Sequence, residues 1–95
     1  MRDYEVMTIH RPDLAEDDVA IKIGELESHL SEQGASVDGR DLWGKRRFAY
    51  EIDHLTEGYY SVVTFQAEAA AVDSLDRMLS LADEVVRHKI VRKGA

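Results

Sequence analysis

The side chains best suited to chemistry in this sequence are basic ones, concentrated in two short segments. In residues 40–47, Lys45-Arg46-Arg47 directly follows Trp43-Gly44. Residues 85–95 contain no acid, and their bases are Arg87, Lys89, Arg92 and Lys93. Guanidinium and ammonium groups bind phosphate oxygens, and a neighbouring aromatic ring can stack on a nucleobase or pack against a protein. The two segments therefore predict an interface with RNA, with a protein partner or with both.

The charge of the whole chain restricts this interpretation. The 95 residues carry a net charge of −7, whereas general nucleic-acid binders usually have an excess of Lys and Arg. The acids are concentrated in residues 13–32, where Lys22 is the only Lys or Arg. This separation of charge along the chain predicts an oriented interface rather than binding over the whole surface.

The same residues could instead have purely structural roles. Arg47 and Lys89 could pair with Glu5 across neighbouring strands, since pairs of opposite charge are common in sheets. Trp43 could cap a sheet edge, as most large aromatic side chains pack against the protein. The Arg92-Lys93 pair could be a solubilising tail, although the lack of a nearby acid favours an RNA contact.

Catalytic and metal-binding patterns are weak in this sequence. Glu25 and His29 have a helical spacing that could hold a metal, but a third ligand is missing, so a solvated helix face is the simpler interpretation. The chain has no cysteine, no serine in a nucleophile motif and no glycine-rich phosphate loop. We therefore predict no catalytic residue, no metal and no cofactor, and a protein that is not an enzyme.

Hydrophobic periodicity predicts two helices. Val19, Ile23, Leu26 and Leu30 recur at helical spacings and predict a helix over residues 15–33. A second stripe, formed by Val72, Leu75 and Leu79, predicts a helix over residues 69–82. Gly24 interrupts the first stripe, and a close approach of this helix to the sheet could explain it.

Four strands are predicted from β-branched and aromatic residues in alternation. They cover residues 2–10, 35–52, 59–65 and 85–93, with bulges at Gly39 and Gly44 and a turn at Thr56-Glu57-Gly58. The order strand, helix, strand, strand, helix, strand is that of the ferredoxin-like βαββαβ fold of the α+β class. We expect a single domain over residues 1–95, with both helices on one face of a four-stranded antiparallel sheet in the order 4-1-3-2. The predicted core is Val6, Val19, Ile23, Leu26, Leu30, Phe65, Leu75, Leu79 and Ile90.

The sequence resembles the bacterial small-subunit ribosomal protein S6 family from residue 1 to about residue 93. The matching segments are Arg2-x-Tyr4-Glu5, Trp43-Gly44-Lys45-Arg46-Arg47-Phe48-Ala49-Tyr50-Glu51-Ile52, Glu57-Gly58-Tyr59-Tyr60, Leu75-Asp76-Arg77-x-Leu79 and Val85-Val86-Arg87-x-Lys89-Ile90-Val91. The chain departs from many relatives at Asp53-His54-Leu55-Thr56, where they carry lysines. It also stops at Ala95, without the longer C-terminal tail that some relatives have.

The resemblance implies a component of the 30S subunit that binds the central domain (platform) of 16S rRNA together with the small basic ribosomal protein S18. It implies RNA contacts for Arg2, Tyr4, Lys45, Arg46, Arg87, Arg92 and Lys93. It implies contacts with the protein partner for Trp43, Arg47, Phe48, Tyr50 and Tyr60. The resemblance also implies a ribosomal, cytoplasmic protein that is a monomer when free.

Two other functions remain open at the level of sequence. One is a ferredoxin-like ligand-sensing or regulatory module that forms a homodimer through its open sheet, and the other is a dimeric α/β-barrel enzyme. The open-face residues Glu5, Met7, Ile9, Val62 and Thr64 are apolar enough for a dimer interface but provide no acid–base pair. The measured size of the free protein would distinguish a monomer from both alternatives. No apolar run approaches the ~20 residues of a membrane-spanning helix, and no secretion signal is predicted.

Overall fold

The computed structural model describes residues 1–94 and contains four strands and two helices. In chain order they are β1 (Arg2–His10), α1 (Glu16–Glu32), β2 (Ser36–Ile52), β3 (Leu55–Ala67), α2 (Ala69–Leu81) and β4 (Val85–Arg92). The strands form one antiparallel sheet in the order β2-β3-β1-β4. The predicted fold, sheet order and helices are confirmed, with helix bounds shifted by one residue.

The core lies between the helices and one face of the sheet. Side chains alternate between the two faces of a strand, so Val6, Val63 and Phe65 all face the helices. They pack against Leu26 and Leu75, whose helical stripes point towards the sheet. The predicted core is correct, although Ile90 on the edge strand β4 is only partly buried against it.

The hairpin that joins β2 to β3 differs from the prediction. Its turn is at Asp53 and His54, whose φ values are 50° and 65°, and β3 begins at Leu55 instead of Tyr59. Positive φ at both central residues is the pattern of a type I′ turn, whose twist matches the flanking strands. The sequence Thr56-Glu57-Gly58 contains turn-forming residues, but here Gly58 serves a close contact within the sheet instead.

Gly58 lies where the sheet leaves no room for a side chain. A Cβ atom at this position would lie 2.8 Å from the carbonyl oxygen of His10, 2.8 Å from Cγ2 of Ile9 and 3.1 Å from Cζ of Phe48. A close approach to the sheet does not explain Gly24, since among the described residues a Cβ there would meet only Nη2 of Arg40 at 3.9 Å.

The long strand β2 is irregular, as its two glycines predicted. Its register against β3 shifts between Val37 and Gly39 and again between Leu42 and Gly44. Gly44 has a φ of 85°, a conformation that residues with a Cβ rarely adopt. These bulges change which side chains of β2 reach each face of the sheet.

Candidate nucleic-acid and partner interface

The face of the sheet opposite the helices carries most of the candidate residues. We call it the open face and define it by the side chains that alternation places there. These are Glu5, Met7 and Ile9 of β1, Trp43, Arg46 and Phe48 of β2, Tyr60, Val62 and Thr64 of β3, and Arg87, Lys89 and Val91 of β4. The predicted open-face residues of β1 and β3 therefore lie together.

Three aromatic rings form a cluster on the open face, next to the edge of the sheet. The rings of Trp43 and Tyr60 are stacked, with centroids 6.1 Å apart and planes 4° apart. Phe48 meets Tyr60 edge to face at 6.0 Å. The indole Nε1 of Trp43 donates a hydrogen bond to Oδ2 of Asp41 at 3.0 Å, yet the residue remains 42% exposed. This aromatic cluster thus combines fixed geometry with accessible apolar surface.

Arg46 adds a cation to the aromatic cluster. Its guanidinium carbon lies 5.3 Å from the centre of the Trp43 ring, within the range of a cation–π contact. Arg40, from the same basic segment, is instead held by the carboxylate of Glu27 on α1, which raises the pKa of Arg40. Arg46 is therefore available to a ligand in a way that Arg40 is not.

Lys45 and Arg47 do not share a face with Arg46. Lys45 lies opposite Tyr59, with Nζ 5.1 Å from the centre of that ring on the helix side of the sheet. Arg47 lies opposite Glu57, so the alternative pairing with Glu5, two strands away, is not formed. Since neighbouring residues of a strand alternate, three consecutive cations cannot act as one cluster.

On β4, the open face carries Arg87 and Lys89. Arg87 lies opposite Ile9 and Lys89 opposite Met7 in the register of β4 with β1. These four side chains, together with His88, line a cavity of about 250 Å³.

Glu5 is not opposite Lys89, and its carboxylate lies 4.0 Å from Nζ of Lys93. The alternative Lys89–Glu5 pair is therefore not formed. Lys89 belongs to the predicted basic segment, although it is not among the residues for which the resemblance implies RNA contacts, and the structure makes it a candidate binding residue. The signal in the sequence was its spacing of two residues from Arg87, which places both side chains on the same face of a strand.

The terminal residues lie at the opposite end of the sheet from the aromatic cluster. Tyr4 is half-buried on the helix side, stacked on the core residue Phe65 with centroids 5.7 Å apart. Arg92 lies opposite Tyr4 and is exposed, as is Arg2. Lys93 is tied to β1 by its backbone N–H, which donates to the Asp3 carbonyl at 2.8 Å. The residues expected to contact RNA thus occupy both faces and both ends of the sheet.

Of the residues expected to contact a protein partner, three form the aromatic cluster. Tyr50 is 75% exposed and lies between Arg47 and Ile52, where the register of β2 with β3 shifts. Arg47 lies nearby along the strand but faces the helix side. The structure therefore brings together Trp43, Phe48 and Tyr60, and leaves Tyr50 and Arg47 outside the cluster.

Two of the four histidines make structural contacts. Nε2 of His29 lies 2.9 Å from the hydroxyl oxygen of Ser74, linking the two helices, and Nε2 of His88 lies 2.8 Å from Oδ1 of Asp76. Burial lowers the pKa of His10; nearby Glu84 opposes this effect and Lys22 adds to it.

Within residues 1–94, no three His, Asp or Glu side chains are grouped as metal ligands, and no helix is long and apolar enough to cross a membrane.

Comparisons of the sequence with known proteins identify one family and similar relatives. Residues 3–92 match the family described as ribosomal protein S6. The small ribosomal subunit protein bS6 of Desulforamulus reducens is 46% identical over 94 residues, covering 99% of each chain. That of Carboxydothermus hydrogenoformans is 44% identical, covering 98% of this chain and 97% of the relative.

Two solved structures are also similar. The crystal structure of 30S ribosomal protein S6 from Thermotoga maritima superposes with a TM-score of 0.92 at 27% identity, covering 97% of this chain and 87% of that one. The solution structure of the C-terminal domain of the MgtC protein from Mycobacterium tuberculosis has a TM-score of 0.59 at 20% identity, with the same coverage. At that identity the second similarity shows the fold alone.

Proposed function

Since the chain belongs to the ribosomal protein S6 family, we propose that it is a structural component of the small (30S) ribosomal subunit. In the proposed role it binds the central domain of 16S rRNA together with the small basic ribosomal protein S18. The role requires binding surfaces and no chemical step, and it implies a protein that is a monomer when free and acts on the ribosome in the cytoplasm.

The observation that carries the RNA-binding part is a set of unpaired cations on the open face. Among residues 1–94, no carboxylate lies within salt-bridge distance of Arg46, Arg87 or Lys89. By contrast, Lys22 and Arg40 each pair with a glutamate of α1. Cations without internal partners keep their full capacity to bind phosphate oxygens. Exposed Arg2, Lys45 and Arg92 and the more weakly paired Lys93 extend this surface beyond the open face.

The aromatic cluster supports the protein-binding part. Trp43, Phe48 and Tyr60 present a rigid apolar surface, and aromatic residues of this kind dominate the energetics of protein interfaces. Tyr50 and Arg47, next along β2, would extend the contact. We assign the aromatic side chains at this end of the open face, with Tyr50 and Arg47, to the S18 partner. We assign the open-face cations Arg46, Arg87 and Lys89 to RNA.

Neutralisation of single cations tests the proposal. Arg46→Gln is expected to weaken binding of the protein–partner pair to a central-domain RNA fragment, because it removes a phosphate contact. The slope of log K against log[salt] should fall by about 0.7–0.9 for that contact. Arg77→Gln is the matched control, since Arg77 is an exposed cation of α2 on the other side of the molecule.

The two variants carry the same change in charge, so their difference isolates position. Equal losses of affinity for Arg46→Gln and Arg77→Gln would contradict the assignment of RNA binding to the open face. Variants of Glu27 are unsuitable as controls because that carboxylate holds Arg40.

A further inference from the structure

The cavity between β1 and β4 on the open face has a composition that neither the core nor a protein contact explains. Met7 and Ile9 provide an apolar floor, and Arg87 and Lys89 provide a cationic wall. His88 lies between the two cations in sequence, but its imidazole points to the other face and bonds Asp76. Its contribution to the cavity is therefore its backbone.

The two cations of this wall act together. Residues two apart on a strand are separated by about 6.8 Å and point to the same face. Arg87 and Lys89 are both exposed, and none of the five lining residues is an acid. The nearest acid along β1 on this face, Glu5, is close to Lys93. A ligand in the cavity therefore meets uncompensated positive charge on one side and hydrocarbon and thioether groups beneath it.

We propose that this cavity binds a single unpaired nucleotide of RNA, with its base against Met7 and Ile9 and its phosphate at Arg87 and Lys89. A nucleotide has the required pair of properties, a flat apolar ring next to an anion. The volume of about 250 Å³ lies below the ~300–1,000 Å³ of pockets for drug-sized ligands, which fits one ring rather than a larger group. The inference rests on the proposed function and deepens it by specifying one RNA subsite.

Charge complementarity decides between RNA and a protein occupant. A basic protein partner would be repelled by Arg87 and Lys89, whereas a polyanion is attracted. The floor side chains have no strong hydrogen-bond donor or acceptor, so they cannot read the edge of a base. We therefore expect the subsite to accept an unpaired base with little preference for its identity.

Photochemical crosslinking tests the proposal directly. A central-domain RNA fragment would carry 4-thiouridine at its unpaired positions and would be assembled with the full chain and its basic partner. After irradiation, the crosslinked peptides would be identified by mass spectrometry. The expected result is a crosslink within β1 or β4, at Met7 or at residues 87–89. Crosslinks confined to other peptides would overturn the proposal.

A variant that fills the cavity separates base insertion from simple attraction to phosphate. Met7→Trp keeps the charge unchanged, and we expect it to abolish the crosslink and to weaken RNA binding at least threefold. Val91→Trp is the matched control, because it adds the same side chain to an exposed open-face position outside the cavity lining, and it should retain the crosslink. Thermal unfolding of both variants would verify that they fold. Unchanged affinity of Met7→Trp, or loss of partner binding instead of RNA binding, would overturn the proposal. In either case, normal entry of the variant into 30S particles would leave the proposed function intact.

Discussion

At the scale of single residues, position within the strand decides what each cation does. Arg46 lies over the Trp43 ring, Lys45 over the Tyr59 ring, and Arg40 is bound by Glu27. The sequence shows these residues only as one basic segment. Their separation follows from alternation along β2 and from its two register shifts, which depend on β3 as well as on β2. Residue types in the binding surface were therefore predictable, but their partners and faces were not.

His10 should make the stability of the protein depend on pH. Its side chain is buried, Nδ1 has no hydrogen-bond partner among the described residues, and its pKa is lowered from 6.5. The unfolded chain therefore binds more protons than the folded protein once the pH falls below about 6.5, and stability decreases on acidification. The decrease from this one group is limited to about 1.4 kcal/mol per pH unit.

Urea unfolding between pH 7.5 and pH 5 measures this effect. His10→Gln, which cannot be protonated, should show a smaller loss of unfolding free energy over this range than the unmodified protein. The exposed His54 provides the control, because His54→Gln should keep the full dependence. The same pH profile for all three proteins would refute the assignment to His10.

Gly58 should be intolerant of any side chain. The Cβ of Gly58→Ala would have to displace the main chain of His10 or the side chains of Ile9 and Phe48, with an expected cost of about 1–3 kcal/mol. Gly39→Ala is the matched strand control, because its Cβ would lie at an ordinary 3.7 Å from Oγ1 of Thr64. Chemical denaturation of the two variants checks the difference; similar costs at both sites would show that crowding at Gly58 is not the cause.

At the scale of elements, the periodicity of hydrophobic residues was sufficient to predict both helices, all four strands and their order. Helical stripes and strand alternation are local patterns, and they identified the core from Val6 to Leu79 correctly. The β2–β3 turn was misplaced because Asp53-His54 lacks the glycine that usually marks a two-residue hairpin. A turn was predicted at Gly58 because glycine is common in turns. Its actual role is to leave room for β1, which lies beside it only in the folded sheet.

Gly24 should be replaceable with a gain in stability. It lies within α1 and a Cβ would make one ordinary contact, so Gly24→Ala is expected to raise the unfolding free energy by about 0.5–1 kcal/mol. Gly34→Ala should instead be destabilising, because Gly34 has a φ of 84°. Thermal unfolding of both variants tests this pair of opposite signs; a loss of stability for Gly24→Ala would mean that α1 needs the glycine.

At the scale of the whole molecule, charge is divided between two sides. The first turn of α1 carries Glu16, Asp17 and Asp18. On the open face, the cations of β2 and β4 have no carboxylate partner within residues 1–94. The net charge of −7 opposes a polyanion at long range, but at physiological ionic strength the screening length is about 8 Å. The open face can therefore bind RNA locally while the molecule gains little electrostatic steering. A basic partner would neutralise acids and add phosphate contacts.

The most direct test of this cooperation is a titration of a 16S central-domain fragment at near-physiological salt, with its earlier-binding protein present. Three samples would be compared: this protein alone, the S18 partner alone and both together. We expect weak binding by this protein alone and at least tenfold tighter binding when the partner is present, equal to about 1.4 kcal/mol of coupling. Equal affinity of this protein for the RNA with and without the partner would contradict the proposed joint binding.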